Sequence, residues 1–350
     1  MGHAPAIFTD MAVIQYDETQ VRSALDAVVR RTMKMDLTWC WPCGVAFYGV
    51  SQAYNVTKNQ EYIDFLVKWV DEYIELGLPP FMVNAVSMGH AMITMYEATG
   101  DKKYWDIALR KSEYLKKDAV RFGEGVFQHT VSSGNDFPAQ AWADTLFMAA
   151  YFQLRMGIKQ NDKALVDDAL NQYYWHETFL QDEKTNLWFH AWDDIQKSHL
   201  SGIHWARANA WAAVTMSEAL KLINYMYPMF MQIDCALRDQ LSALVRVQSP
   251  NGLWHTILED ETSYEETSAS AGIGCALVNY GNPLHKKYIN KTIQGVLANI
   301  AEDGTVRNVS AGTAVMACAD DYKKVPRKRI QGWGQGLTAA FLASIIKHKP

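Results

Sequence analysis

The stretch Tyr54-Asn55-Val56-Thr57-Lys58-Asn59-Gln60-Glu61-Tyr62 returns in outline as Tyr96-Glu97-Ala98-Thr99-Gly100-Asp101-Lys102-Lys103-Tyr104. Tyr, Thr and Tyr keep their offsets across 42 residues, inside similar helix-turn-helix text. Self-similarity at that period marks an architecture assembled from helical hairpins.

Helical periodicity and breakers extend the pattern to about twelve helices, near 20–35, 43–55, 59–76, 86–99, 102–117, 140–157, 161–176, 205–223, 229–247, 267–280, 284–300 and 332–347, or six hairpins. Their connectors alternate. Those around 56–58, 100–101, 158–160, 224–228 and 281–283 are tight, whereas those around 36–42, 78–85, 118–139, 177–204, 248–266 and 301–331 are long, and every long one precedes an even-numbered helix. Even-numbered helices are poor in charge and rich in Ala, Gly, Ser and Met, as befits helices buried all round; odd-numbered ones carry a single apolar stripe. The pattern predicts an all-α fold with an inner ring of helices inside an outer one, in a single domain spanning 1–350. An open solenoid that binds a protein is the alternative, and the inner helices are too apolar to line its concave surface. Long loops gathered at one end place the site there, where the inner helices' N-termini offer free N–H groups and partial positive charge to an anionic group.

Composition narrows the function classes. Apolar residues make up 49% and charged residues 20% of the 350, enough for a large core. The net charge of −5, and a basic stretch no longer than Lys323-Lys324-Val325-Pro326-Arg327-Lys328-Arg329, argue against a nucleic-acid partner. No basic segment followed by an apolar run opens the chain and no run of eighteen apolar residues occurs, so no membrane partner and a cytoplasmic location are expected. Five scattered cysteines fit reduced thiols better than a disulfide framework.

The first cluster able to carry chemistry is Gln140-Ala141-Trp142-Ala143-Asp144-Thr145-Leu146-Phe147-Met148, just after Pro138. Pro138 suits a helix's first turn, which sets Asp144 about one turn inside an inner helix on the face of Gln140 and Phe147. Desolvation there raises a carboxyl pKa, as a group serving first as general acid and then as base requires. A buried Asp satisfied by neighbouring donors is the equal alternative. In His204-Trp205-Ala206-Arg207-Ala208-Asn209-Ala210-Trp211, residues His204, Arg207 and Trp211 share a face. Arg offers a planar fork to a carboxylate and Trp a face to a sugar ring, although an Arg paired with an Asp across the barrel is the commoner arrangement. His129 in Val126-Phe127-Gln128-His129, and Trp188-Phe189-His190-Ala191-Trp192-Asp193-Asp194, resemble strand edges crossing the barrel mouth. Trp254-His255 and Glu265-Glu266-Thr267-Ser268 precede another inner helix. A lone histidine in such places is more often structural than catalytic.

Neither a metal nor a cofactor is expected: there is no His-Glu-x-x-His, and the single Cys-x-x-Cys has no second half. Trp39-Cys40-Trp41-Pro42-Cys43 matches a thioredoxin-type motif but lacks the preceding strand. Gly332-Trp333-Gly334-Gln335-Gly336 fits neither dinucleotide nor P-loop spacing, and close helix packing explains it better.

Taken in order, several stretches resemble glycoside hydrolase family 105, the unsaturated rhamnogalacturonyl hydrolases, related to the unsaturated glucuronyl hydrolases of family 88. They are Trp41-Pro42-Cys43-Gly44, Tyr96-Glu97-Ala98-Thr99-Gly100-Asp101, the Trp142, Leu187-Trp188 and Trp205 segments, Trp254-His255 and Glu266-Thr267-Ser268-Ala269. The resemblance implies an (α/α)6 barrel. It implies an enzyme that removes a 4,5-unsaturated uronic acid from the non-reducing end of lyase-generated oligosaccharides by hydrating the C4=C5 bond, with Asp144 as acid and base. It also implies that Trp41, Trp142, Trp205 and Trp211 shape the sugar pocket, that His190 and Arg207 contact the substrate, and that His129 joins them. Arg207 as the receptor of the uronate carboxylate is a physical inference added to this. Where the family carries a second Asp, this chain has Asn84 in Val83-Asn84-Ala85-Val86; it cannot titrate and is expected to position substrate. Two rivals remain: a barrel sugar epimerase, which needs paired histidines on two faces of a ring, and a non-catalytic carbohydrate-binding helical protein.

Overall fold

The computed structural model describes residues 14–348. Six outer helices, α1 (Glu18–Thr32), α3 (Gln60–Leu76), α5 (Lys102–Lys117), α7 (Lys163–Leu180), α9 (Phe230–Arg246) and α11 (Lys286–Ala298), alternate with six inner ones. The inner helices are α2 (Trp41–Thr57), α4 (Gly89–Thr99), α6 (Tyr151–Gln160), α8 (Ala206–Leu222), α10 (Thr267–Tyr280) and α13 (Gly332–Lys347). A short α12 (Ala319–Lys323) interrupts the long segment before α13.

The tight turns follow from local chemistry. Inner helices α2, α4, α6 and α10 each stop at a left-handed residue, Lys58, Gly100, Asn161 and Gly281 respectively. Asn59, Asp101, Asp162 and Asn282 come next, and their side chains accept from the free N–H groups of the following helical turn. At these four turns no residue is left over for a loop.

The inner ring closes. Around it α2 packs on α4, the turns before α4 and α6 meet, α6 packs on α8, α8 on α10, α10 on α13, and α13 returns to α2. That last contact explains the glycine-rich segment. A Cβ on Gly336 would stand 2.1 Å from Val45 O, and one on Gly49 would stand 2.5 Å from Gly336 O, so the backbones of α2 and α13 touch only because both are glycine. Buried Gln335 stitches the same seam, donating to Val28 O and Gly304 O and accepting from Val306 N. The buried apolar residues form one contiguous core cluster drawn from all twelve barrel helices.

Two boundaries differ from the expectation. The helix predicted from residue 140 begins as β3 (Gln140–Trp142), antiparallel to β4 (Ala191–Asp193); helical backbone starts only at Asp144, with a π-turn over Leu146–Ala150 before α6. Pro138 is not a first-turn proline. It sits between Phe137 and Ala139, both at positive φ, which turn the chain into the strand pair. Gln140, Asp144 and Phe147 therefore share no helical face. The helix predicted from 86 starts as a 3-10 turn over Asn84–Met88. The expected strand edges are β4 and the pair β1 (Arg121–Phe122) and β2 (Val126–Phe127).

Candidate active site

At the end of the barrel where the inner helices begin, a cavity of about 210 Å³ opens. Its size suits one sugar ring better than a drug-sized ligand, whose sites start near ~300 Å³. Trp41 enters it from the start of α2, Asn84 from the turn before α4, Trp142 and Asp144 from the β3-to-α6 join, and Trp205, Arg207 and Trp211 from α8. His129 follows β2. Val131 and Phe137 from one long loop and Gly312, Thr313 and Ala314 from another complete the wall. Eight of the nine sequence candidates thus converge, and they do so where helix N-termini favour an anion.

Asp144 retains 13% side-chain exposure, at the floor of the cavity. Among the described residues it is the one carboxylate lining it. Oδ2 has no hydrogen-bond partner among the described residues; His190 Nε2 lies 3.5 Å away, at the outer limit of such a bond. Burial by itself pushes the carboxyl up. The imidazole of His190 beside it, with His129 and the Arg207 charge, outweighs burial and holds it below the ordinary range. This corrects the expected upward shift: the open cleft holds a carboxylate. Asn84 Oδ1 and Trp211 Nε1, on two further residues of the cavity lining, are likewise buried and unpartnered.

His190 does not line the cavity. Its side chain is fully buried behind Asp144, and its Nδ1 meets Tyr322 OH at 2.8 Å. No second imidazole lines the cavity among the described residues, whereas the epimerase reading requires a pair. His129 does line the cavity, stacked on Trp142, and burial lowers its pKa to about 4.

Arg207 is 1% exposed, with the guanidinium over Trp205 and Trp333. Nη1 donates to Glu266 Oε1 at 3.2 Å and to Ser310 Oγ at 2.5 Å, while Nη2 donates to Ala311 O and Thr313 Oγ1. The cross-barrel acid exists, as Glu266 and not Asp. Both Nη atoms are thus engaged by protein acceptors. Arg207 fastens the 310–313 wall to α8. Glu266 also caps α10 by accepting from Ala269 N and takes the Ser310 N–H. Its position just before an inner helix was the only sequence signal for this role. Phe137, Tyr322 and the 312–314 wall lie in loops without periodicity and gave none.

No three His, Cys, Asp or Glu residues converge as a metal site among the described residues, and no described helix is long and apolar enough to cross a membrane. The five cysteines carry no disulfide, and Cys40 and Cys43 sit at the start of α2, with no strand before them among the described residues.

Sequence and structure comparisons show the family and the fold. The model of Glycosyl Hydrolase Family 88 matches residues 13–349. The chain is 54% identical over 340 residues, 97% of its own length and 98% of the relative's, to the unsaturated rhamnogalacturonyl hydrolase YesR of Bacillus subtilis strain 168. It is 24% identical over 314 residues, 81% of its length and 80% of the relative's, to the unsaturated 3S-rhamnoglycuronyl hydrolase of Formosa agariphila. Among solved structures, a possible member of the GH105 family from Salmonella enterica serovar Paratyphi A superposes with a TM-score of 0.90 at 23% identity, covering 99% of this chain and 96% of that one. The unsaturated glucuronyl hydrolase of Bacillus sp. GL1 does so with 0.73 at 15%, covering 95% and 96%. At those identities the structures speak for the (α/α) barrel alone.

Proposed function

The chain belongs to Glycosyl Hydrolase Family 88, and from that premise we propose that it is an unsaturated rhamnogalacturonyl hydrolase, releasing a 4,5-unsaturated uronic acid from the non-reducing end of lyase-generated oligosaccharides. The observation that carries the mechanism is the single carboxylate, Asp144, on the floor of a one-ring cavity. Displacement at a glycosidic bond needs two carboxyl groups about 5–10 Å apart across it, whereas hydration of a double bond needs one that gives a proton and takes one back.

Seating an anionic uronate expels water and sets a like charge beside Asp144, and both raise its pKa from the depressed value of the open cleft. Protonated Asp144 then delivers its proton to C4. Water adds at C5 and returns a proton to the carboxylate. The resulting hemiketal opens, the bond to the next sugar breaks, and a ring-opened keto acid and the shortened saccharide leave. Asn84 Oδ1 and Trp211 Nε1 supply hydrogen bonds to the sugar, and Trp41, Trp142 and Trp205 supply apolar faces. Val131, Phe137 and residues 312–314 wall the outer cleft, where the next sugar sits. The finer reading is one catalytic domain over 1–350 in the cytoplasm, which suits five free thiols.

Loss of the ultraviolet absorbance of the conjugated C4=C5 uronate tests the mechanism with lyase-generated disaccharides. Native protein should abolish the band and Asp144→Asn should leave it. A band that persists with native protein returns the chain to a carbohydrate-binding role; a band that disappears with both removes Asp144 as the acid.

A further inference from the structure

Behind the acid lies a second layer that the proposed reaction does not use. Tyr322, on α12 within the loop 301–331, is completely buried, with its hydroxyl 2.8 Å from His190 Nδ1. His190 is equally buried, and its other nitrogen faces Asp144 Oδ2 at 3.5 Å. The Trp205 indole packs against both rings, with centroids 4.1 Å from His190 and 6.0 Å from Tyr322, so neither side chain can turn away.

An imidazole between a phenol and a carboxylate has two neutral arrangements. If Nδ1 carries the proton, it donates to the phenol oxygen, and the bare Nε2 lone pair then faces the carboxylate oxygen with nothing between them. If Nε2 carries it, Nε2–H points at Asp144 and Nδ1 accepts from the phenol O–H. Only the second arrangement leaves neither nitrogen opposed to an acceptor. Burial pushes the phenol up to about 12, so its proton is present at neutral pH.

We infer that Tyr322 is a positioning residue: it fixes His190 as the Nε2–H tautomer, so that a neutral donor faces Asp144 throughout the cycle. The role rests on the proposed function of Asp144, but its first readout does not. The same segment is tied to the cleft wall, because Ala311 N donates to Pro326 O while Arg207 holds Ala311 O and Thr313. Tyr264 OH donates to Tyr322 O, and Lys323 pairs with Asp260. The loop that bounds the outer cleft therefore also sets the proton position one layer beneath the acid.

The test is the tautomer itself, read from the ¹⁵N shifts of His190 in histidine-labelled full-length protein at neutral pH, with His190→Gln used for assignment. Native protein should show a protonated Nε2 and a bare Nδ1, and Tyr322→Phe, which loses only the hydroxyl, should show a mixture. In the disaccharide assay the same variant should lose roughly ten- to a hundredfold in kcat with KM changed less than threefold, a smaller loss than removing the charged carboxylate that sets the tautomer of a serine-protease triad. A native protein protonated at Nδ1 overturns the proposal whether or not the variant folds. So does a Tyr322→Phe protein that keeps the native shifts, or one whose shifts change with kcat intact. A failed Asp144 assignment with native Nε2–H shifts that Tyr322→Phe disperses would leave the tautomer role standing and sink only the reaction assigned to Asp144.

Discussion

The His129 imidazole lies flat on the Trp142 indole, with centroids 4.0 Å apart and planes 4° from parallel. Its Nε2 is 3.4 Å from Asn84 Nδ2 and its Nδ1 is 3.1 Å from Thr145 Oγ1. The amide donates to Nε2, so the ring keeps its proton on Nδ1 and gives it to Thr145. Burial holds the ring's pKa down to about 4. Asn84→Asp would turn that donor into a charged acceptor, so the contact then needs a proton on Nε2, and the adjacent carboxylate favours the ring's cation. The His129 pKa should then rise above its ordinary value of about 6.5. An NMR titration of the ring resonances reads this directly, and a value still near 4 would separate residue 84 from His129.

Four of the buried histidines, His90, His129, His176 and His190, predict how the fold responds to acid. Burial is the largest cause in each: it lowers His90 well below its ordinary value, His129 and His176 to about 4, and His190 in the same direction. A folded pKa below the unfolded one of ~6.5 means that between about 4 and 6.5 the unfolded chain binds more protons. Stability should be complete above that window and fall as pH drops through it, by up to ~1.4 kcal/mol per pH unit for each histidine. Urea unfolding at pH 7, 6 and 5 should show the decline, and His176→Gln should remove about one histidine's share of it. A midpoint independent of pH would show that these rings titrate normally.

The barrel was legible in the sequence because two features carry its physics: a hairpin repeat and a composition that differs between inner and outer helices. Tight turns were legible because Lys58-Asn59 and Gly100-Asp101 combine a helix end with a helix cap. The start of the Asp144 helix was not, because Pro138 is as compatible with a turn as with a first helical turn, and only the partner strand 49 residues later decides it. The site residues on helix starts were found. Tyr322 and Phe137 were not, since their importance comes from where a loop folds back. The direction of the Asp144 shift was misjudged for a related reason: burial can be read from a helix face, but His190 and Arg207 arrive from distant segments.

Lys111 is a buried cation with no carboxylate paired to it among the described residues. Its Nζ donates to Ala85 O at 3.2 Å and lies over the rings of Trp39 and Phe81. Burial, with Arg110 adding to it, lowers its pKa to about 7. The unfolded value is ~10.4, so the cost of burying the charge is present in full below pH 7 and is relieved as pH rises from about 7 towards 10.4. Lys111→Met fills the same space without charge. It should raise stability at pH 7 by about 1–3 kcal/mol and abolish the rise in stability between pH 7 and 10. Chemical unfolding at pH 7 and 9 measures both. A variant less stable at pH 7 would mean that the two aromatic faces and Ala85 O stabilise the cation more than burial costs.

Glu266 and Arg207 separate stability from activity. Glu266 is wholly buried and accepts from Arg207, Ser310 N and Ala269 N, so one side chain neutralises a buried cation, holds the cleft wall and caps α10. Glu266→Ala strips the guanidinium of its partner where water cannot replace it, and should cost about 3–5 kcal/mol, seen as a lowered unfolding midpoint. Removing both charges leaves nothing unpaired. Arg207→Met combined with Glu266→Leu should recover most of that loss, since an apolar pair of similar volume is often as stable as a buried ion pair. Activity should not return with it. Without Arg207, residues 311 and 313 lose their anchor to α8 and the wall of the sugar cavity loosens, so the double variant should be folded and at least tenfold lower in kcat/KM. A double variant with native activity would reduce Arg207 to a structural partner of Glu266, and one that fails to fold would make the pair essential to the barrel itself.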